Sequence, residues 1–174
     1  MQFFEVFENL IVEQTLLEMF EEVVVLRVAA SRTTNRILVY ISSKRLIGHK
    51  IIKKMEALLQ KQLFSRTMNR VELFDTYELS AQYTPANLWD IYLESFYAEI
   101  QEKSVLDYNI LRNGEILFDD LTITIRLEDS FLNQKRSTDI KNYLETVYLE
   151  RFSFPVKVKF EYIERKEEKD EEQE

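Results

Sequence analysis

Apolar positions recur along this chain in two registers, one of period two and one near 3.6, and the registers alternate in the same order twice. Glu13 to Glu22 carries Leu16, Leu17 and Phe20 at helical spacing, so a short helix is expected. Val23 to Ala30 is rich in β-branched residues, and Arg36 to Ile41 alternates apolar with polar. Ser31-Arg32-Thr33-Thr34-Asn35 between them supplies turn chemistry, so the pair reads as a hairpin. His49 to Phe64 places Ile51, Ile52, Met55, Leu58, Leu59 and Leu63 on one helical face, and Val71 to Tyr77 closes the half as a strand.

The second half repeats that order. Thr84-Pro85 is a helix-start signal: a hydroxyl able to accept from free amides, then a proline whose fixed φ suits the first turn. Trp89, Leu93, Phe96 and Ile100 then recur at spacings of three and four, with Leu88, Tyr92 and Tyr97 on adjoining rows. This helix, expected over Thr84 to about Tyr97 and continuing in a second piece through Leu111, is apolar over more than one stripe. It belongs between two packed layers or keeps one side for a partner. Asn113-Gly114 ends the run where a left-handed residue is expected. A hairpin follows over Glu115–Asp119 and Leu121–Glu128, then a helix over Thr138–Phe152 and a last strand over Pro155–Ile163. Each half is helix, strand, strand, helix, strand, matched in pattern and barely in letters. The reading is α+β, with two α-β-β-α-β units, each a small sheet covered by helices. Its boundaries fall at 1–80 for an N-terminal subdomain, 81–164 for a second subdomain and 165–174 for an acidic linker or tail. Residues 3–11, FFEVFENLI, form a docked N-terminal segment in this reading.

Composition narrows the function classes. The 174 residues are 45% hydrophobic and carry a formal charge of −8. An acidic chain does not suit a dedicated phosphate-backbone binder, although a local basic patch stays open. There is no cysteine, hence no disulfide and no thiolate chemistry, and no apolar run long enough for a membrane span. The chain reads as cytoplasmic, without a signal peptide.

Catalytic constellations are thin. His49 is the single histidine and reads as a solvated or capping residue at a helix start. Asp119-Asp120 and Glu128-Asp129 have the chemistry to hold a hard cation, but they fall at strand ends, where Asp belongs in turns. Two glycines exclude a P-loop and a dinucleotide fingerprint. No metal, cofactor or catalytic residue is expected. Two interaction sets stand out instead. Trp89, Tyr92 and Tyr97, with Tyr108 nearby, are residue types that dominate protein interfaces, though core packing competes for them. Lys44, Arg45, Lys50, Lys53 and Lys54, with Lys61 further along, form a basic cluster that is either a phosphate contact or the wet face of an amphipathic helix.

The stretch ELSAQYTPANLWDIYLESFYAEIQEKSVLDYNIL, with SSKRLIGHKIIKKMEALLQKQLF before it and YLERFSFPVKVKFEY after it, resembles the N-terminal region of PolC-type DNA polymerase III alpha subunits. These are replicative polymerases of low-GC Gram-positive bacteria, and the version here is clostridial in character. The resemblance runs from Phe3 to Tyr162. It implies that the chain is the front of a longer polymerase with 3′–5′ exonuclease activity, and that the acidic tail leads into the next domain. It also implies that the second half is similar to a truncated type II KH domain. The partner it implies is the C-terminal domain of the clamp-loader tau subunit, with the rest of the polymerase chain following. Nucleic acid is the alternative, through the basic helix. A KH module clamps nucleic acid with a GxxG loop, and glycines only at 48 and 114 leave no room for one.

Overall fold

The computed structural model describes residues 1–67 and 69–165; residues 166–174 of the expected acidic tail lie outside the described residues. Among the described residues the elements are α1 (Phe3–Val6), α2 (Gln14–Phe20), β1 (Val24–Ser31), β2 (Arg36–Ser43), α3 (His49–Gln62) and β3 (Arg70–Tyr77). There follow α4 (Pro85–Lys103), α5 (Val105–Asn113), β4 (Glu115–Asp119), β5 (Thr122–Glu128), α6 (Phe131–Phe152) and β6 (Lys157–Ile163).

The strands make two three-stranded sheets of identical topology, ordered β1-β2-β3 and β4-β5-β6. In each, a hairpin sets the first two strands antiparallel, and a helix carries the chain over to a third strand parallel to the middle one. The α+β repeat expected from the pattern is therefore present. Both hairpins turn through a non-glycine residue in the left-handed region, Asn35 at φ 49° and Asp120 at φ 51°, where a short polar side chain tolerates the conformation. Asp120 is thus a turn residue.

Period-two burial shows which face each sheet hides. Along β2, Ile37, Val39 and Ile41 are buried while Arg36, Leu38, Tyr40 and Ser42 are only partly so; along β5, Ile123, Ile125 and Leu127 are buried in the same way. The N-terminal segment closes the first core: Phe3 and Phe20 are fully buried, their rings 5.0 Å apart, and the Phe3 amide bonds the Val23 carbonyl.

The helix ends follow their caps. Thr84 and Asn87 form a reciprocal pair, the Asn87 amide donating to Thr84 Oγ1 at 3.2 Å and the Thr84 amide to Asn87 Oδ1 at 2.8 Å. The break between the two pieces, expected near Tyr97, falls later, at Ser104, which is extended and caps α5 by accepting from the Asp107 amide. Two expectations change. Helix α6 starts seven residues before Thr138, because Ser130 caps it by accepting from the Asn133 amide. Its first turn exposes Phe131 and Leu132, so no buried stripe announces it. Gly114 is extended at φ −81°, not left-handed. Close approach explains it: a Cβ there would lie 2.8 Å from the Leu127 side chain and 3.3 Å from the Arg126 carbonyl.

Candidate functional site

Helix α4 lies at the seam between the two halves, and its all-round apolarity follows from that position. Trp89 and Tyr92 are 6% and 4% exposed, so the structure puts both in the core. Trp89 stacks on Phe96 with ring centres 4.9 Å apart, and Tyr92 donates to the Ile47 carbonyl at 3.0 Å. Tyr92 also packs edge-on against Tyr77 of β3 and Phe152 of α6. Neither ring is offered to a partner. Tyr97, the third residue of the set, is half-buried and reaches the surface, where its ring meets Tyr108 edge-on at 5.5 Å.

Around Tyr97 and Tyr108 is a small amphipathic corner. Arg112 donates to the Tyr108 hydroxyl at 3.1 Å, and Val105, three residues before Tyr108 on α5, is 58% exposed. Burial and the neighbouring Tyr108 raise the pKa of Tyr97, while Arg112 pulls the other way. Tyr108 belongs to the aromatic set visible in the sequence, but Val105 and Arg112 do not. The signal that finds them is their spacing from Tyr108, which places all three on one side of α5.

On another side of α4 the seam is polar and closed. Arg151 of α6 donates to Glu99 at 2.7 Å and lies 3.7 Å from Asp75 of β3. Burial disfavours its charge, but Asp75 and Glu99 outweigh that and raise its pKa. Burial likewise works against the Glu99 carboxylate, and Arg151, Lys103 and His49 together hold its pKa below the ordinary value. Tyr77 donates to Asp75 Oδ2 at 2.6 Å and accepts from the Ile47 amide at 3.3 Å. Its pKa is raised far above normal, first by burial and then by Asp75. His49 is not the solvated or capping residue expected, since Gly48 holds the cap position of α3 and the histidine is buried. It is 9% exposed, with Nε2 3.0 Å from Glu102 and Nδ1 4.0 Å from Glu99, and its backbone amide donates to Ser95. Carboxylates brought by α4 bury it.

The basic cluster is exposed at all five positions, Lys44, Arg45, Lys50, Lys53 and Lys54, but does not act as one positive surface. Lys53 pairs with Glu56 at 3.2 Å and Lys54 pairs with Glu13. Lys50 and Lys53 border a shallow groove of about 430 Å³ whose other lining residues include Glu102. Among the described residues no three His, Cys, Asp or Glu side chains come together as a metal site, and no helix is long and apolar enough to cross a membrane.

Fold and surfaces thus define a two-lobed α+β module built on one repeated unit. Residues 2–73, within the first lobe, match the family model described as DNA polymerase III polC-type N-terminus I. The match covers α1 through the first part of β3. No curated protein and no solved structure matches the chain.

Proposed function

We propose that the chain is the non-catalytic front of a PolC-type replicative polymerase, and that it tethers that polymerase to the clamp-loader tau subunit. The observation that carries the reading is the corner at Tyr97, Tyr108 and Arg112 on the second lobe. It joins the residue types that dominate protein hot spots to an exposed apolar neighbour, Val105. Trp89 supports Tyr97 from below, edge-on at 6.0 Å, so the contacting ring is held in place before binding. The polymerase and exonuclease activities belong, in this reading, to the parent chain, and a replicative role puts it in the cytoplasm. The likeness of the second lobe to a truncated type II KH domain is supported by element order. The competing use of the basic helix against DNA has less support, since two of its five cations are paired with carboxylates.

The test is a titration of the chain with the tau C-terminal domain. Saturable binding is expected, weakened about tenfold or more by Tyr97→Ala or Tyr108→Ala, as for hot-spot aromatics. Absence of binding at high micromolar concentration overturns the proposal.

A further inference from the structure

On the open face of the first sheet, one cross-strand row runs Arg27–Tyr40–Phe74 through all three strands. The Arg27 guanidinium lies 4.3 Å from the Tyr40 ring centre. Tyr40 and Phe74 stack nearly parallel, 5.0 Å apart at 18°. The column ends on Phe74, 39% exposed, on the edge strand β3. Burying these rings elsewhere would gain hydrophobic free energy, so a stacked aromatic row left at the surface wants an explanation.

At the far end of the same strands Arg36 lies directly opposite Arg70. Like charges in that position repel, and an anion between them relieves the repulsion. The rows of residues 36 and 40 are about 13 Å apart along the strand. The one carboxylate beside them, Glu72, pairs with Arg36. Three guanidinium groups against one carboxylate make this face positive in a chain of net charge −8.

We propose that this face binds single-stranded nucleic acid, one base extending the aromatic column at Phe74 and the flanking phosphates meeting Arg36 and Arg70. A flat ring that prolongs a stack and a polyanionic backbone beside it are what unpaired nucleotides provide together; a duplex hides its base faces. Every base has such a face, so little sequence preference is expected. The site is separate from the Tyr97 corner, and neither reading depends on the other.

The experiment is fluorescence anisotropy of a labelled oligothymidylate with the intact chain, at low and at physiological salt, against a duplex of the same length. Expected is binding that prefers the single strand, weakens with salt, and falls about tenfold in Phe74→Ala. Phe74→Tyr should keep it, Arg70→Glu should weaken it and flatten the salt dependence, and Arg126→Ala on the other sheet should leave it unchanged. Circular dichroism of each variant separates lost binding from lost fold. The proposal is overturned by absence of saturable binding, by equal affinity for duplex, or by an unchanged Phe74→Ala variant. It is also overturned if only charge reversal of Lys50, Lys53 and Lys54 abolishes binding, or if Phe74→Ala affects the tau titration and not the DNA.

Discussion

The same row of the same sheet is built in opposite ways in the two lobes. The fifth residue of the middle strand is Tyr40 in the first lobe and Arg126 in the second, and both point to the open face. Tyr40 sits between Arg27 and Phe74; Arg126 sits between Glu115 and Glu161, 2.7 Å from the latter. Inner faces barely differ: Ile37, Val39 and Ile41 against Ile123, Ile125 and Leu127. Strand order, hairpin and crossover follow from that inner face, because a slip by one residue would turn every apolar side chain outward. The outer face is under no such constraint. An exposed ion-pair ladder is what a solvated sheet carries at little energetic consequence, whereas stacked aromatics on the open side point to a contact.

The largest perturbation tests whether the lobes can be compared as separate bodies at all. Arg151 joins Asp75 of the first lobe to Glu99 at the seam, and Arg151→Met leaves buried Asp75 without this cation and Glu99 with only Lys103 and His49 nearby. A loss of about 3–5 kcal/mol is expected in urea denaturation. Circular dichroism and Trp89 fluorescence should report one coincident transition in the parent chain. The pH dependence has a definite sign. The pKa of Glu99 is lowered in the folded state, so the stability it contributes is present above its ordinary value of 4.5 and is lost as pH falls through the folded value. Without Arg151 one cause that lowers the Glu99 pKa is gone, so the deficit of the variant should be greatest near neutral pH and shrink on acidification. Separate transitions for the two probes in the parent chain would mean that 1–80 and 81–164 fold on their own.

A smaller effect probes a device common to both lobes. Each third strand is a sheet edge, and in each the crossover helix covers it with a glutamate: Glu56 accepts from the Leu73 amide at 2.9 Å and Glu145 from the Val158 amide at 3.0 Å. Exposed edge amides invite pairing with another chain. Glu56→Ala and Glu145→Ala should each cost about 1–3 kcal/mol by urea denaturation. Sedimentation should show more self-association for Glu145→Ala, because Gln60 still covers the first edge through the Val71 amide.

Much of this repeat could be read from the sequence, since alternation along β5, the Thr84-Pro85 start and the turn residues of both hairpins are local signals. What could not be read came from distance or from ambiguity. Tyr92 is core because Tyr77 and Phe152, one from each lobe, pack against it, and Trp89 because Phe96 and Phe118 do; an all-round apolar helix does not show which side meets them. His49 is buried by Glu99 and Glu102, about fifty residues further on. The Tyr40–Phe74 row escaped for another reason. The alternation expected over Arg36 to Ile41 does not hold in the letters: in RILVYISS both parities are apolar, Ile37, Val39 and Ile41 on one side and Leu38 and Tyr40 on the other, so it does not say which faces water.

The smallest expected effect on stability is also the sharpest test of the comparison. Arg27→Glu, Tyr40→Arg and Phe74→Glu together rebuild in the first lobe the row that the second lobe carries. Cross-strand pairs contribute tenths of a kcal/mol to about 1 each, and exposed ion pairs less, so thermal unfolding should move by about 1 kcal/mol or less in either direction. Circular dichroism should be unchanged while oligothymidylate binding disappears. Glu115→Arg, Arg126→Tyr and Glu161→Phe make the converse exchange and should bring weak single-strand binding to the second sheet, without the paired arginines that flank the first. A stability loss of about 3 kcal/mol or more in the first triple variant would make the aromatic row a structural element. The contrast between the lobes would then lie in how each sheet is held together, not in what it meets.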